Sequence, residues 1–167
     1  MKPAAPGAII FELNRLRNPV EPQFTQRVRI KCFGNFSVFV DGKPLLISRA
    51  KPRELLAYLV HKQGTAISSS EITAVLWEDK EYSKSLQSYT RKIISQLRGI
   101  LKEAGVEDII HKGWNSISID ADRISCDYYD FLKGKMDSLN SYIGEYMNEY
   151  SWAEFTVGYL NEKKDKR

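Results

Sequence analysis

Cysteine, histidine and long apolar runs are all scarce in this chain of 167 residues. Its two cysteines, Cys32 and Cys126, form no CxxC and have no second pair. That argues against a disulfide framework and against a thiolate metal site, so both read as buried, small apolar residues of a reducing cytoplasm. His61 and His111 lack metal-ligand spacing and have no cysteine or paired carboxylate nearby. No P-loop, GxSxG or GxGxxG is found. Asp127 and Asp130 are neighbours in sequence, but a helix start favours aspartate by itself. The expectation is therefore no enzyme, no catalytic residue, no cofactor and no metal. No apolar run approaches the roughly 20 residues a bilayer requires, so no membrane partner is expected. The opening "MKPAAPGAIIFELNRLRNP" has too short an apolar stretch, wrongly flanked, for a signal peptide.

One further absence is local. Residues 83 to 102, "SKSLQSYTRKIISQLRGILK", contain Lys84, Arg91, Lys92, Arg98 and Lys102 and no acid, while Glu81 and Glu103 stand just outside. The net charge of +4 hides a matching asymmetry. Residues 1–102 hold 17 Lys/Arg against 8 Asp/Glu, and residues 103–167 hold 8 against 13. A basic front half points to an anionic partner, with nucleic acid the usual one; a merely solvated surface is the plain alternative.

The length suits one ordinary domain, or one small domain with a helical attachment. "AAPGAIIFELNRLRN" places Ile9, Leu13 and Leu16 at helical spacing, and Pro19 and Pro22 end that segment. "RVRIKCFGNFSVFVDGKPLLI" alternates instead, with Val28, Ile30 and Cys32 on one face and Phe36, Val38 and Val40 repeating the pattern. Asp41-Gly42 is a strong hairpin signal and Gly34-Asn35 a weaker one. Pro52 and Gly64 bracket a helix striped by Leu55, Leu56, Leu59 and Val60. Ser68 and Glu71 have capping-box spacing before Ile72, Val75 and Leu76, with Trp77 ending that helix. A third, longer helix ends at Gly105. Ile110, Ile117 and Ile119 flank a Gly113-Trp114-Asn115 turn, which predicts a second hairpin. Beyond residue 127 the chain turns Tyr-rich: Leu139, Tyr142, Ile143, Tyr146 and Tyr150 keep helical spacing. Ser151 with Glu154 reads as another capping box opening a last helix.

The third helix has two expected faces. With Lys84 at zero and a step of about 100° per residue, Ser88, Arg91, Ser95 and Arg98 fall within about 40° of it. Leu86, Tyr89, Ile93, Leu97 and Ile100 cluster near the opposite side, and Gln87 and Lys92 lie at the margins of the cationic face. Exposed helices usually mix signs, because Glu–Lys pairs four residues apart stabilise them. A face of cations and small hydroxyls suits a polyphosphate instead, since Lys and Arg neutralise phosphates and small side chains allow close approach. Arg can also pair with guanine, and Gln with adenine, in the major groove. In the second hairpin, His111 and Lys112 precede the turn and Trp114 sits near its tip, placed to reach phosphates or the minor groove. The alternatives are a core lid for Trp114 and an ordinary exposed strand residue for His111.

The stretches "IKCFGNFSVFVDGKPL", "KPRELLAYLVHKQGTAISSSEITAVLW" and "SYTRKIISQLRGILKEAG" together resemble the OmpR-type winged helix-turn-helix, as found in SARP-type regulators and in response regulators of two-component systems. The resemblance implies an α+β winged-helix fold: an N-terminal antiparallel sheet, three helices and a C-terminal β-hairpin wing, between a flanking N-terminal helix and a C-terminal helical extension. It divides the chain into 1–25, a helix and linker similar to the end of a receiver domain; 26–122, the DNA-binding domain; and 123–167, an extension. "CDYYDFLKG" resembles the start of a bacterial transcriptional activator (BTAD, TPR-like) domain, and "GEYMNEYSWAEFTVGYL" a helical pair from a short form of one. The family role of the third helix implies double-stranded DNA as partner, with a recognition helix at 83–103 and a wing at 109–119. The residues expected to face DNA are Lys84, Gln87, Ser88, Arg91, Lys92, Ser95 and Arg98, joined by His111 and Lys112 from the wing. RNA polymerase, through the loop "EDKEYSK", and a second copy of the chain are further candidate partners. A bacterial, cytoplasmic transcription regulator is the implied whole. The competing expectation is a winged-helix interaction scaffold working through its Tyr-rich C-terminal helices.

Overall fold

The computed structural model describes residues 26–166. The segment carrying Ile9, Leu13 and Leu16, with the receiver-like Lys2-Pro3, lies outside them. Three short strands open the described chain: β1 (Val28–Lys31), β2 (Ser37–Val40) and β3 (Lys43–Pro44). Val28, Ile30 and Val38 are buried, as the alternation requires. Asp41 and Gly42 form the two-residue turn between β2 and β3 with φ of 50° and 80°, the left-handed pair that such a hairpin demands.

Three helices follow. Helix α1 (Ala50–His61) buries Leu55, Leu56, Leu59 and Val60. Gln63, with φ 58°, is the first left-handed residue after it, and Gly64 the second. Helix α2 (Ser69–Leu76) is capped by Ser68, whose hydroxyl accepts from the Glu71 amide at 3.1 Å. The capping box is half formed, because the Glu71 carboxylate turns away to accept from Tyr58 Oη at 2.7 Å. Helix α3 (Lys84–Glu103) is capped by Ser83, which accepts from the Leu86 amide at 3.2 Å. It ends in a Schellman motif at Gly105 (φ 74°): the Val106 amide donates to the Leu101 carbonyl and the Gly105 amide to that of Lys102.

The second hairpin pairs β5 (Ile110–Gly113) with β6 (Ser116–Ile119) around Trp114-Asn115. A two-residue strand that the sequence reading did not anticipate, β4 (Ile67–Ser68), pairs with β6 and anchors the hairpin to the start of α2. Another, β7 (Ile124–Cys126), runs parallel to β1, giving a sheet of order β3-β2-β1-β7.

The C-terminal region departs most from the periodicity. A continuous Tyr-rich helix was expected. Instead α4 (Asp127–Leu132) and α5 (Met136–Ser141) are short, and the chain turns extended at Tyr142. Gly144 (φ 91°) and Met147 (φ 42°) then shape a segment that locks onto the front sheet. The Gly34 amide donates to Glu145 O at 3.0 Å, and the Met147 amide to Cys32 O at 2.7 Å. These tertiary bonds outweigh helical spacing, so Tyr142 and Tyr146 are buried while Ile143 is exposed. The expected Ser151–Glu154 box does not form. The Ser151 hydroxyl donates to Glu78 Oε1 at 2.5 Å, and α6 (Glu154–Asp165) starts after a 3-10 turn without a side-chain cap. The expected helical pair is thus one turn and one helix.

A single apolar cluster runs from Val28 and Ile30 through Leu56, Leu97 and Ile117 to Phe131, Tyr146 and Leu160. No described helix is long and apolar enough to cross a membrane.

Candidate nucleic-acid interface

Helix α3 is held on its inner side by Thr90, Ile94, Leu97 and Leu101. The centre of this buried face lies roughly 70° around the helix from the one expected on apolar spacing. Tyr89, assigned to the core by its spacing, is 55% exposed, and Ile93 and Ile100 are only partly buried. The cause is a polar pin. Thr90 Oγ1 and Thr73 Oγ1 meet at 2.6 Å in the α2–α3 contact, each also within hydrogen-bonding range of a carbonyl of its own helix. Both threonines are buried with their hydroxyls satisfied, which sets the rotation of α3 against α2.

The rotation leaves the cationic face open. Lys84, Ser88, Arg91, Lys92, Ser95 and Arg98 are exposed, and Gln87 is half-buried at the margin. Among the described residues, none of Lys84, Arg91, Lys92, Arg98 or Lys112 is in an ion pair with a carboxylate. Among the described residues, Arg91 makes one side-chain hydrogen bond, to Ser88 Oγ at 3.4 Å. Elsewhere the same chain pairs its charges readily. Arg27 meets Asp41 at 2.9 Å, holding that carboxyl below its ordinary pKa, and Arg53 meets Glu149 at 3.2 Å.

Between α3 and the hairpin lies a groove of about 490 Å³, walled by Arg91, Ser95, Arg98 and Lys112, floored by Ile94 and rimmed by Trp114. Ser88 and Lys92, with Ser85 and Tyr89, border a second hollow farther along the helix. Strand alternation separates the two hairpin residues. Lys112 lies opposite the buried Ile117 and faces the groove, whereas His111 lies opposite Ser118 on the other side of the hairpin. There His111 Nε2 is 2.9 Å from Asp120 Oδ2, and this hydrogen bond is the main cause of a lowered Asp120 pKa. His111 is thus exposed on the side of the hairpin away from the groove. The core-lid alternative for Trp114 fails, because its ring is 95% exposed. Ser69 and Asn115 also line the groove; the sequence marked Asn115 as a turn residue and Ser69 as part of a helix start, neither as a candidate for contact.

One cluster outside this face brings metal-ligating residue types together. Cys32 and Cys126, 94 residues apart, place their sulfurs 3.5 Å from each other beside the Asp127 carboxylate. Pairing of β1 with β7 causes the meeting. The Asp127 oxygens already accept from the amides of Cys32 (2.7 Å), Phe33 (3.1 Å) and Tyr128 (2.8 Å). Burial pushes the Cys32 thiol pKa well up. Three groups, one of them committed to backbone donors and one disfavoured as a thiolate, do not fit a tetrahedral zinc site.

No family model matches the chain, and no curated protein matches it. Among solved structures, the chain is similar to Mycobacterium tuberculosis EmbR in complex with a low affinity phosphopeptide, with a TM-score of 0.63 and 18% sequence identity. The match covers 83% of this chain and 42% of that one. At this identity the similarity establishes a shared fold, mixed α and β, over most of the chain.

Proposed function

We propose that this chain is a DNA-binding transcriptional regulator of the SARP and response-regulator type. Helix α3 enters the major groove, and the β5–β6 hairpin rests on the adjacent backbone or minor groove. The observation that carries the reading is the exposed face of Lys84, Arg91, Lys92 and Arg98, kept clear of carboxylates and continued by Lys112 across the groove. Counterion release on contact with phosphates is the physical return for leaving these cations unpaired. Ser88 and Ser95 between them let the backbone approach, and Gln87 stands at the edge where a base can be read. The shared fold with EmbR supports the geometry. The loop between α2 and α3 exposes Glu78, Asp79, Lys80 and Glu81, and we assign it the contact with RNA polymerase.

A second reading has one observation in its favour. Phe155 is 90% exposed and Tyr159 51% exposed, one turn apart on α6, as a protein-docking face would be. Titration with duplex DNA over a range of salt separates the two. The regulator binds at low salt with a log–log slope of about −0.9 per phosphate neutralised, and Arg91→Ala lowers affinity and slope together without moving the thermal melt. Indifference to DNA at low salt would leave the docking face as the working surface.

A further inference from the structure

Trp114 differs from the other two tryptophans. Trp77 and Trp152 are partly buried and pair with aromatic neighbours, Trp77 with Tyr89 and Trp152 with Tyr58 and Tyr150. Trp114 is 95% exposed and, among the described residues, stacks on no ring and under no cation. A fully wetted indole adds nothing to the fold, since its stabilising effect comes from leaving water.

Its mount is nonetheless firm. The turn is two residues long, with Asn115 held at φ 53°. The Ser69 amide, at the first position of α2, donates to the Asn115 carbonyl at 3.3 Å. Lys112 Nζ donates to the Gly113 carbonyl at 2.8 Å. A Cβ at Gly113 would lie 2.7 Å from Ser116 Oγ, so any side chain there would require the Ser116 hydroxyl to move. The β4–β6 pairing ties the hairpin to the body of the protein. An apolar ring on a braced tip, beside Arg91, Arg98 and Lys112 at one groove, has the parts of a wedge that parts stacked bases while cations hold the phosphates. The surrounding charge selects a polyanion over an apolar protein partner.

We propose that Trp114 is a base-stacking wedge. On a duplex docked along α3, its indole inserts at one step beside the helix footprint and partly unstacks it. Pyrimidine–purine steps open most easily, so the wedge adds a preference for TA or CA at a position that no hydrogen bond reads. This inference rests on the DNA-binding reading above.

The test uses the full chain and a duplex recovered by its selection from random sequence, with 2-aminopurine placed in turn at each flanking step. Tryptophan emission falls on binding in the wild type and stays constant in Trp114→Phe. One 2-aminopurine position brightens with the wild type and stays dark with Trp114→Ala. Trp114→Ala binds about 5- to 100-fold more weakly, as loss of one stacked base entails, with its salt slope and thermal melt unchanged. Binding with a full salt slope but without quenching, without 2-aminopurine brightening, or with undiminished affinity in Trp114→Ala overturns the wedge and leaves the DNA reading standing. If selection and low-salt titration with random-sequence duplex recover no binding, the DNA reading falls and the wedge with it.

Discussion

Replacing Leu97 with alanine tests the rotation of α3 on its core. Leu97 has no exposed surface, and Ile94 and Leu101 flank it on the buried side of the helix. Removing its branched end costs the transfer energy of the lost carbons and leaves a void that rigid neighbours fill incompletely. Leu→Ala changes at such sites cost about 2–5 kcal/mol, and full burial in the middle of a 20-residue helix places this one at about 3–4. For a chain of this size each kcal/mol lowers the melting temperature by about 2–4 °C, so the expected drop is on the order of 10 °C. Tyr89→Ala is the comparison. Apolar spacing puts Tyr89 in the core, but the structure leaves it 55% exposed, so its loss costs about 1 kcal/mol or less. Urea unfolding followed by circular dichroism reads both, with the denaturant slope confirming that the unfolded states match. Equal costs for the two variants, or a larger cost for Tyr89→Ala, would refute the rotated face.

Two further outcomes follow from the packing of the C-terminal extension. His61 is largely buried among Tyr58, Tyr128, Tyr146 and Trp152, with Nδ1 2.8 Å from Tyr146 Oη; burial, with a smaller push from Lys62, lowers its pKa from the usual 6.5 to about 4. Only the unfolded chain takes up the proton between those values, so stability falls from pH 6.5 towards pH 4 by about 3 kcal/mol and levels off below; His61→Gln removes that part of the slope in pH-dependent urea melts. Asp127→Ala strips the acceptor from the Cys32 and Phe33 amides and costs about 2–4 kcal/mol by the same assay, whereas a change under 0.5 would mean that water satisfies those donors.

The front of the fold was legible because its signals are local. Asp41-Gly42, the Ser68 cap and the Gly105 stop each act through their own backbone, and each stands where its chemistry predicts. The rotation of α3 was not legible, since Thr90 reads as polar in sequence and is buried only because Thr73 meets it from another helix. The Tyr-rich stretch misled for a related reason. Leu139, Tyr142 and Tyr146 are all buried, as their spacing suggested, but a strand-like clamp on Cys32 and Gly34 buries Tyr146 rather than a continuous helix. At the candidate interface, Arg91, Ser95 and Arg98 come together because they share one helix. Lys112 joins them and His111 does not, a distinction set by the pleat of β5, which a one-residue shift in register would reverse.

The central claim is that the acid-free face of α3 is where a duplex sits. Backbone and arginine side-chain NMR shifts, followed while duplex DNA is added to the chain, map that contact residue by residue. Arg91, Lys92, Ser95, Arg98 and Lys112 are expected to shift first and most, with Phe155 and Tyr159 unmoved. Shifts gathered on α6 with the α3 face silent would contradict it.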